Sequence, residues 1–354
     1  MEFLKDWPAR SLAGELPAVE ELIAVLEATG SELDFLYKIA DEVREKYTGA
    51  EVHVRGIIEF SNICQKNCNY CGIRSGNNSL QRYMMTRGEI LRAARQAKEF
   101  GYGTVVLQSG EQAADPRWLC ELIEELKNDT EIAVTLSVGI CPPEVYHDFK
   151  KAGCDRYLLR FETANEEIFK QLHPDENFKN RIKGLKEIEK AGLQTGSGFM
   201  IGLPESTLED IARDIIFTSE LNLDMIGCGP FISSPATPLK NLDCLLVDRE
   251  IYFKTIALLR LLNPRAHIPA TTAYDALFRD GRNRLLKQGA NVFMPNITPP
   301  QYRSSYQLYP DKPCVDEHAS QCAGCVKSRL ASLNRPLAKG PGHSMKKISD
   351  RVNS

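Results

Sequence analysis

Residues 52–74 read VHVRGIIEFSNICQKNCNYCGIR, an apolar run that passes straight into three cysteines spaced C-x3-C-x2-C. The run from Val52 to Phe60 is short and rich in β-branched residues, as in a buried strand. Cys64, Cys68 and Cys71 therefore fall on the loop at its carboxyl end. Three thiols are an awkward number: a closed zinc site takes four ligands, and disulfides need an even count.

The same rhythm continues to about residue 295. After VHVRGIIEF (52–60), strand-like runs recur at TVVLQ (104–108), IAVTLS (132–137), RYLLRF (156–161) and TGSGFMIG (195–202). DMIGCGPF (224–231), AHIPATT (266–272) and NVFMP (291–295) complete eight. Between them lie helical patterns such as GEILRAARQAKEFG, PEVYHDFKKAG and NRIKGLKEIEKAG, which end at Gly101, Gly153 and Gly192, residues suited to stopping a helix. Eight strand–helix units predict an α/β fold, a (β/α)8 TIM barrel, with an open doubly wound sheet as the alternative. Two amphipathic helices precede it within 16–47. The expected division is residues 1–50 helical, 51–300 barrel, and 301–354 a Pro-rich, Cys-containing extension.

The chain has 354 residues, 43% hydrophobic and 26% charged, with a net charge of −3. That balance supports a large core and offers no electrostatic footprint for nucleic acid. No apolar run is long enough to span a bilayer, and the first residues lack the pattern of a signal peptide. A cytoplasmic location is expected, where the eleven cysteines stay reduced.

In a barrel, chemistry gathers where strands end, so the cysteine loop sits at the reactive mouth. A zinc ion there lacks an evident fourth ligand. A 4Fe–4S cluster on three thiolates instead leaves one iron open. With C-x3-C-x2-C after the first strand, QSGE at 108–111 and GFMIGLPE at 198–205, the sequence resembles the radical S-adenosylmethionine (SAM) superfamily. The runs YLLRFETAN, GPFISSPATPL, IPATTA, GANVFMPN and YRSSYQLYP resemble, more narrowly, its HydE family of FeFe-hydrogenase maturases, near biotin synthase and methylornithine synthase.

That resemblance implies a barrel of the radical SAM type, in which SAM chelates the open iron and is cleaved reductively to methionine and a 5′-deoxyadenosyl radical. It implies Tyr70 beside the adenine, Gln108, Ser109, Gly110 and Glu111 at the methionyl amine, and Glu162 and Met200 among the remaining SAM contacts. Arg181 would meet the SAM carboxylate; read alone, it is an exposed helix charge. Thr135, Arg160, Thr271, Thr272 and Tyr306 would line the substrate cavity, with Met200, Met225 and Pro230 as apolar walls or as plain core. The family pattern R-H-E-T-A-N is broken at Phe161, which should pack against the helices if Glu162 faces the lumen.

The implied substrate is a small cysteine-derived iron carbonyl cyanide species. The implied partners are a tyrosine-cleaving radical SAM enzyme, a GTPase scaffold and a reducing electron donor. Methylornithine formation or sulfur insertion is the nearest alternative, and a non-catalytic electron-transfer or structural metal protein lies further off. A second group, PCVDEHASQCAGCVK, sets Cys314, Cys322 and Cys325 at C-x7-C-x2-C. It reads either as zinc completed by His318 or as an auxiliary Fe–S cluster (2Fe–2S or 4Fe–4S) at the barrel's rim. Cys120, Cys154 and Cys244 are expected to pack as small hydrophobes.

Overall fold

The structure is a computed structural model, which describes residues 1–240, 242, 246 and 248–346; Cys244 lies outside the described residues. Its strands are β1 (His53–Ser61), β2 (Thr104–Ser109), β3 (Ala133–Ser137), β4 (Arg156–Leu158) and β5 (Gln194–Ser197). They continue as β6 (Met200–Ile201), β7 (Met225–Ile226), β8 (Gly229–Pro230), β9 (Pro269–Ala270) and β10 (Val292–Phe293). Two expected strands are each broken in two: residues 195–202 give β5 and β6, and residues 224–231 give β7 and β8. Gly198, at φ +157°, falls at the first break, where an added Cβ would run into the backbone of Gly227.

Eight strands run parallel in the order β7-β5-β4-β3-β2-β1-β10-β9. A parallel bridge between Met225 and His267 joins the two ends, so the sheet closes and the open-sheet alternative falls away. β6 and β8 pair separately as an upward extension, Met200 with Gly229 and Ile201 with Pro230. Helices sheath the outside. Gly101, Gly153 and Gly192 each follow a helix with φ between +75° and +102°, the left-handed stop their type allows.

The N-terminal helices Val19–Leu26 and Ser31–Thr48 share the main hydrophobic core with the barrel. They explain IYFKTIALLRLL: every residue of the helix Ile251–Leu262 is buried, as an all-round apolar pattern demands. Its two cations are satisfied internally. Lys254 Nζ donates to the Leu26 carbonyl at 2.7 Å, and Arg260 donates to four backbone carbonyls and to Asn291 Oδ1.

The far end of the chain floors the barrel. Leu337 bridges Val52, and residues 341–344 then cross the amino-terminal ends of the strands. There Arg156 Nη2 donates to the carbonyls of Pro341 (2.5 Å) and Gly342 (3.0 Å), and Thr104 Oγ1 donates to that of Pro341 (2.9 Å). No helix among the described residues is long and apolar enough to cross a membrane.

Candidate active site

The cysteine loop leaves β1 at the barrel's carboxyl end and is tied down at every turn. Asn62 Nδ2 donates to the carbonyls of Gln81 and Ser305, and its Oδ1 accepts from the Tyr83 N–H. Arg82 gathers the carbonyls of Asn62, Ile73 and Arg74 at 2.6–2.8 Å. Neither residue stood out in the sequence, where an Asn and an Arg carry no spacing signal. Gly72 and Gly110 are required by close approach: a Cβ on Gly72 would run into the Gln307 carbonyl, and one on Gly110 into Ile63 and Cys64.

Cys68 is buried, and Cys64 and Cys71 are partly so. Burial pushes all three thiols up, Cys71 to about 12, with neighbouring thiols and carboxylates adding to the effect. Without a cation these groups stay protonated. Among the described residues their ligand atoms do not gather, with any other His, Cys, Asp or Glu, within 4.8 Å of one another. That spread suits a multi-iron cluster better than one ion.

Around the loop stand the side chains at the strand ends. Ser109 is buried and donates to the Gly110 carbonyl at 2.8 Å. Glu111 meets Arg181 Nη1 at 2.5 Å. Arg181 is therefore not an exposed helix charge: it is 5% exposed, and its Nε donates to the Arg160 carbonyl at 2.8 Å. Burial works against its charge, but the Glu111 carboxylate overrides this and holds the guanidinium above its ordinary value.

Glu162 sits at φ +66°, a costly conformation for a residue with a side chain. Its carboxylate accepts from the Tyr70 hydroxyl at 3.2 Å and lies 3.1 Å from Arg160 Nη2. Phe161 is fully buried and meets Phe217, on the outer helix Leu208–Glu220, edge-on at 5.1 Å, as its place opposite Glu162 predicted. Met200 joins Tyr70, Ile168, Leu172, Leu203, Phe231 and Leu239 in a small apolar group at the mouth.

The remaining lumen residues lie lower or to one side. Among the described residues, the buried Thr135 hydroxyl has no hydrogen-bond partner, nor has Arg160 Nε. Tyr306 is buried, with Gln108 bonded to its hydroxyl and Lys312 Nζ 5.2 Å from its ring centre. Thr271 donates to the Cys228 carbonyl at 3.1 Å. Met225 does not join Met200: it lies near the floor, where its sulfur accepts from Arg55 Nη1 at 2.8 Å.

The second cysteine group brings two of its three cysteines close together. Ligand atoms of Cys314, Glu317 and Cys322 lie within 4.8 Å of one another, while His318 is outside the group. Cys325 is exposed, one turn along the helix Ala319–Ser332. All three cysteines nonetheless line one cavity with Glu59, Thr272 and Asn296, so the site reaches inward from the rim. The hydrogen bond from Cys314, against the cost of burial and helped by Arg303, lowers the Cys322 thiol.

Against known proteins, the model of the radical SAM superfamily matches residues 58–217. The HydE subunit of the FeFe-hydrogenase maturase from Thermotoga maritima is 48% identical over 303 residues, covering 85% of this chain and 86% of that protein. The chain belongs to the HydE family. It is a radical SAM enzyme of the FeFe-hydrogenase maturase type, and its family implies reductive SAM cleavage at a 4Fe–4S cluster. Of wider HydE relatives, 3-methylornithine synthase from Methanosarcina acetivorans is 26% identical, covering 77% of each chain. The crystal structure of methylornithine synthase (PylB) superposes with a TM-score of 0.81 at 24% identity, covering 94% of this chain and 97% of that one, which confirms the fold.

Proposed function

We propose that Cys64, Cys68 and Cys71 hold the SAM-binding 4Fe–4S cluster of this HydE-family enzyme, and that its substrate is a small cysteine-derived iron carbonyl cyanide species. The observation that carries the reading is the arrangement at one mouth: three buried or partly buried thiols beside the Glu111–Arg181 and Tyr70–Glu162 pairs. A 4Fe–4S cluster held by these three cysteines would supply the electron for reductive cleavage of SAM to methionine and a 5′-deoxyadenosyl radical.

The chain's own residues bind and shield. Glu111 receives the methionyl amine, assisted by Ser109, Gly110 and Gln108, while Arg181 offers Nη2 to the carboxylate, a fork suited to a planar anion. Tyr70 and Met200 cover the adenine, and Glu162 accepts from the ribose hydroxyls. Deeper in, Thr135 and Arg160, each with a buried atom that has no partner among the described residues, join Thr271, Thr272 and Tyr306 in taking a polar substrate. A closed lumen keeps solvent and stray side chains from a reactive carbon radical.

Cys314, Cys322 and Cys325 hold an auxiliary Fe–S group outside the radical step. The substrate arrives from a tyrosine-cleaving radical SAM maturase, and the product leaves to a GTPase scaffold. Anaerobic reconstitution followed by SAM and dithionite tests the core of this reading. 5′-Deoxyadenosine should appear with the unaltered chain and with Cys322→Ser, and not with Cys68→Ser; equal loss in both variants refutes the ranking of the two sites.

A further inference from the structure

One buried group beside the cysteine loop has no part in the scheme above. His173 is 2% exposed, at the end of the helix Glu166–Leu172. Its ring stacks on Phe169 with centroids 4.5 Å apart, and its Nε2 faces the Tyr70 hydroxyl at 3.4 Å. Its Nδ1 lies 3.3 Å from Cys68 Sγ.

The placement is enforced from both sides. The segment around His173 and the cysteine loop are laced together: the Asn69 N–H donates to the Leu172 carbonyl at 2.9 Å, and Asn69 Nδ2 to that of Gln171 at 2.7 Å. The Asn67 N–H donates to Asp175 Oδ2 at 2.8 Å, and Lys66 pairs with Glu176 at 3.0 Å. Ring, loop and helix end therefore form one rigid unit.

The three sulfurs also differ in their donors. Cys64 accepts from the N–H groups of Lys66 and Glu111, and Cys71 from that of Ile73. For Cys68, the hydrogen-bond partner found among the described residues is the imidazole. A cluster-bound thiolate is an acceptor, so the proton on the facing nitrogen must be the ring's.

We propose that His173 is a positioning residue for the cluster, whose Nδ1–H donates to the Cys68 sulfur and thereby raises the reduction potential of the iron. A donor at a ligand sulfur stabilises the added negative charge of the reduced state, and such bonds are among the protein's levers on cluster potential. The proposal rests on Cys68 being a cluster ligand.

The test uses full-length chains reconstituted anaerobically, with iron and sulfide counted and the cluster midpoint measured by EPR-monitored redox titration. His173→Phe keeps a ring on Phe169 and removes the donor. It should retain iron while reduction becomes about tenfold harder, a fall of about 59 mV for one electron. His173→Asn returns an amide N–H near the Nδ1 position and should restore the midpoint to within about twofold in that equilibrium. A fully loaded His173→Phe with an unchanged midpoint overturns the proposal.

Should the Phe variant lose iron, His173→Asn is compared with His173→Gln, whose amide reaches the Nε2 position instead. The proposal requires Asn to hold the native midpoint and Gln to fall below it; equal midpoints overturn it. Cys68→Ser separates the two levels of inference. If it loads the native cluster, the ligand assignment fails and this proposal with it. If it does not, an unmoved midpoint in His173→Phe sinks the His173 role alone.

Discussion

Arg181 and Glu111 meet at 2.5 Å, one from the helix Phe178–Lys190 and one from the end of β2, with side chains only 6% and 15% exposed. Removing one member of such a pair leaves the other charged and out of water. Glu111→Gln should lower the unfolding free energy of the metal-free protein by about 3–5 kcal/mol, read from urea midpoints. The double variant Glu111→Gln/Arg181→Met should recover part of that loss, because it no longer buries a guanidinium left only with Glu176 at 3.8 Å. In the reconstituted enzyme, SAM affinity should fall in both.

The raised thiols make a pH prediction with a definite sign. Burial holds Cys64, Cys68 and Cys71 in the protonated form, so their folded values lie above the unfolded one, near 8.5. Their contribution is fully present below pH 8.5 and is lost as the pH rises toward the folded values, since the unfolded chain then binds fewer protons. Metal-free protein should weaken between pH 8.5 and 10, by about 1.4 kcal/mol per pH unit for each thiol titrating in the unfolded state. Loaded protein has already surrendered those protons and should be flat in this window, and loading at pH 7 should itself release protons. Parallel denaturant curves at several pH values check both statements.

The barrel was legible because its determinants are local: eight apolar runs, helices with glycine stops, and a cysteine loop after the first strand. The breaks at Gly198 and before Gly229 were not, since they depend on how β6 and β8 pair with each other. Within the site, the expected residues came from motif resemblance, and for two of them burial decided between readings the residues alone left open. Arg181 sits in a helix segment that reads as exposed, and Met225 in a run that does not reveal its depth. His173, Arg82 and Asn62 escaped notice because each acts through contacts 8 to 243 residues away in sequence.

Gly110 offers a sharper test of the loop than any cysteine does. An alanine methyl there would run into the Ile63 carbonyl and into Cys64 itself. Both neighbours belong to the cysteine loop, and the barrel strands lie behind them. Gly110→Ala should therefore keep a native far-ultraviolet spectrum and a cooperative melt, yet take up less than half the iron of the unaltered chain at the first site. Full loading would mean that the loop has more freedom than its hydrogen bonds indicate.

The floor of the barrel gives the last prediction. Arg156 is fully buried and, among the described residues, has no carboxylate hydrogen-bond partner; it relies on the carbonyls of Pro341 and Gly342, on Thr104, on Gln194 and on His343. The segment 340–346 that supplies most of these has no fully buried apolar side chain, so its attachment is polar. Ending the chain at Lys339 should cost about 1.5–3 kcal/mol, the scale of hydrogen bonds to a charged group. In an Arg156→Met background the same truncation should cost less, by a coupling of about 0.5–3 kcal/mol, because the main attachment is already gone. Equal costs in the two backgrounds would show that the tail is held by something other than Arg156. SAM cleavage, proposed for the opposite end of the lumen, should survive the truncation in proportion to the protein that remains folded.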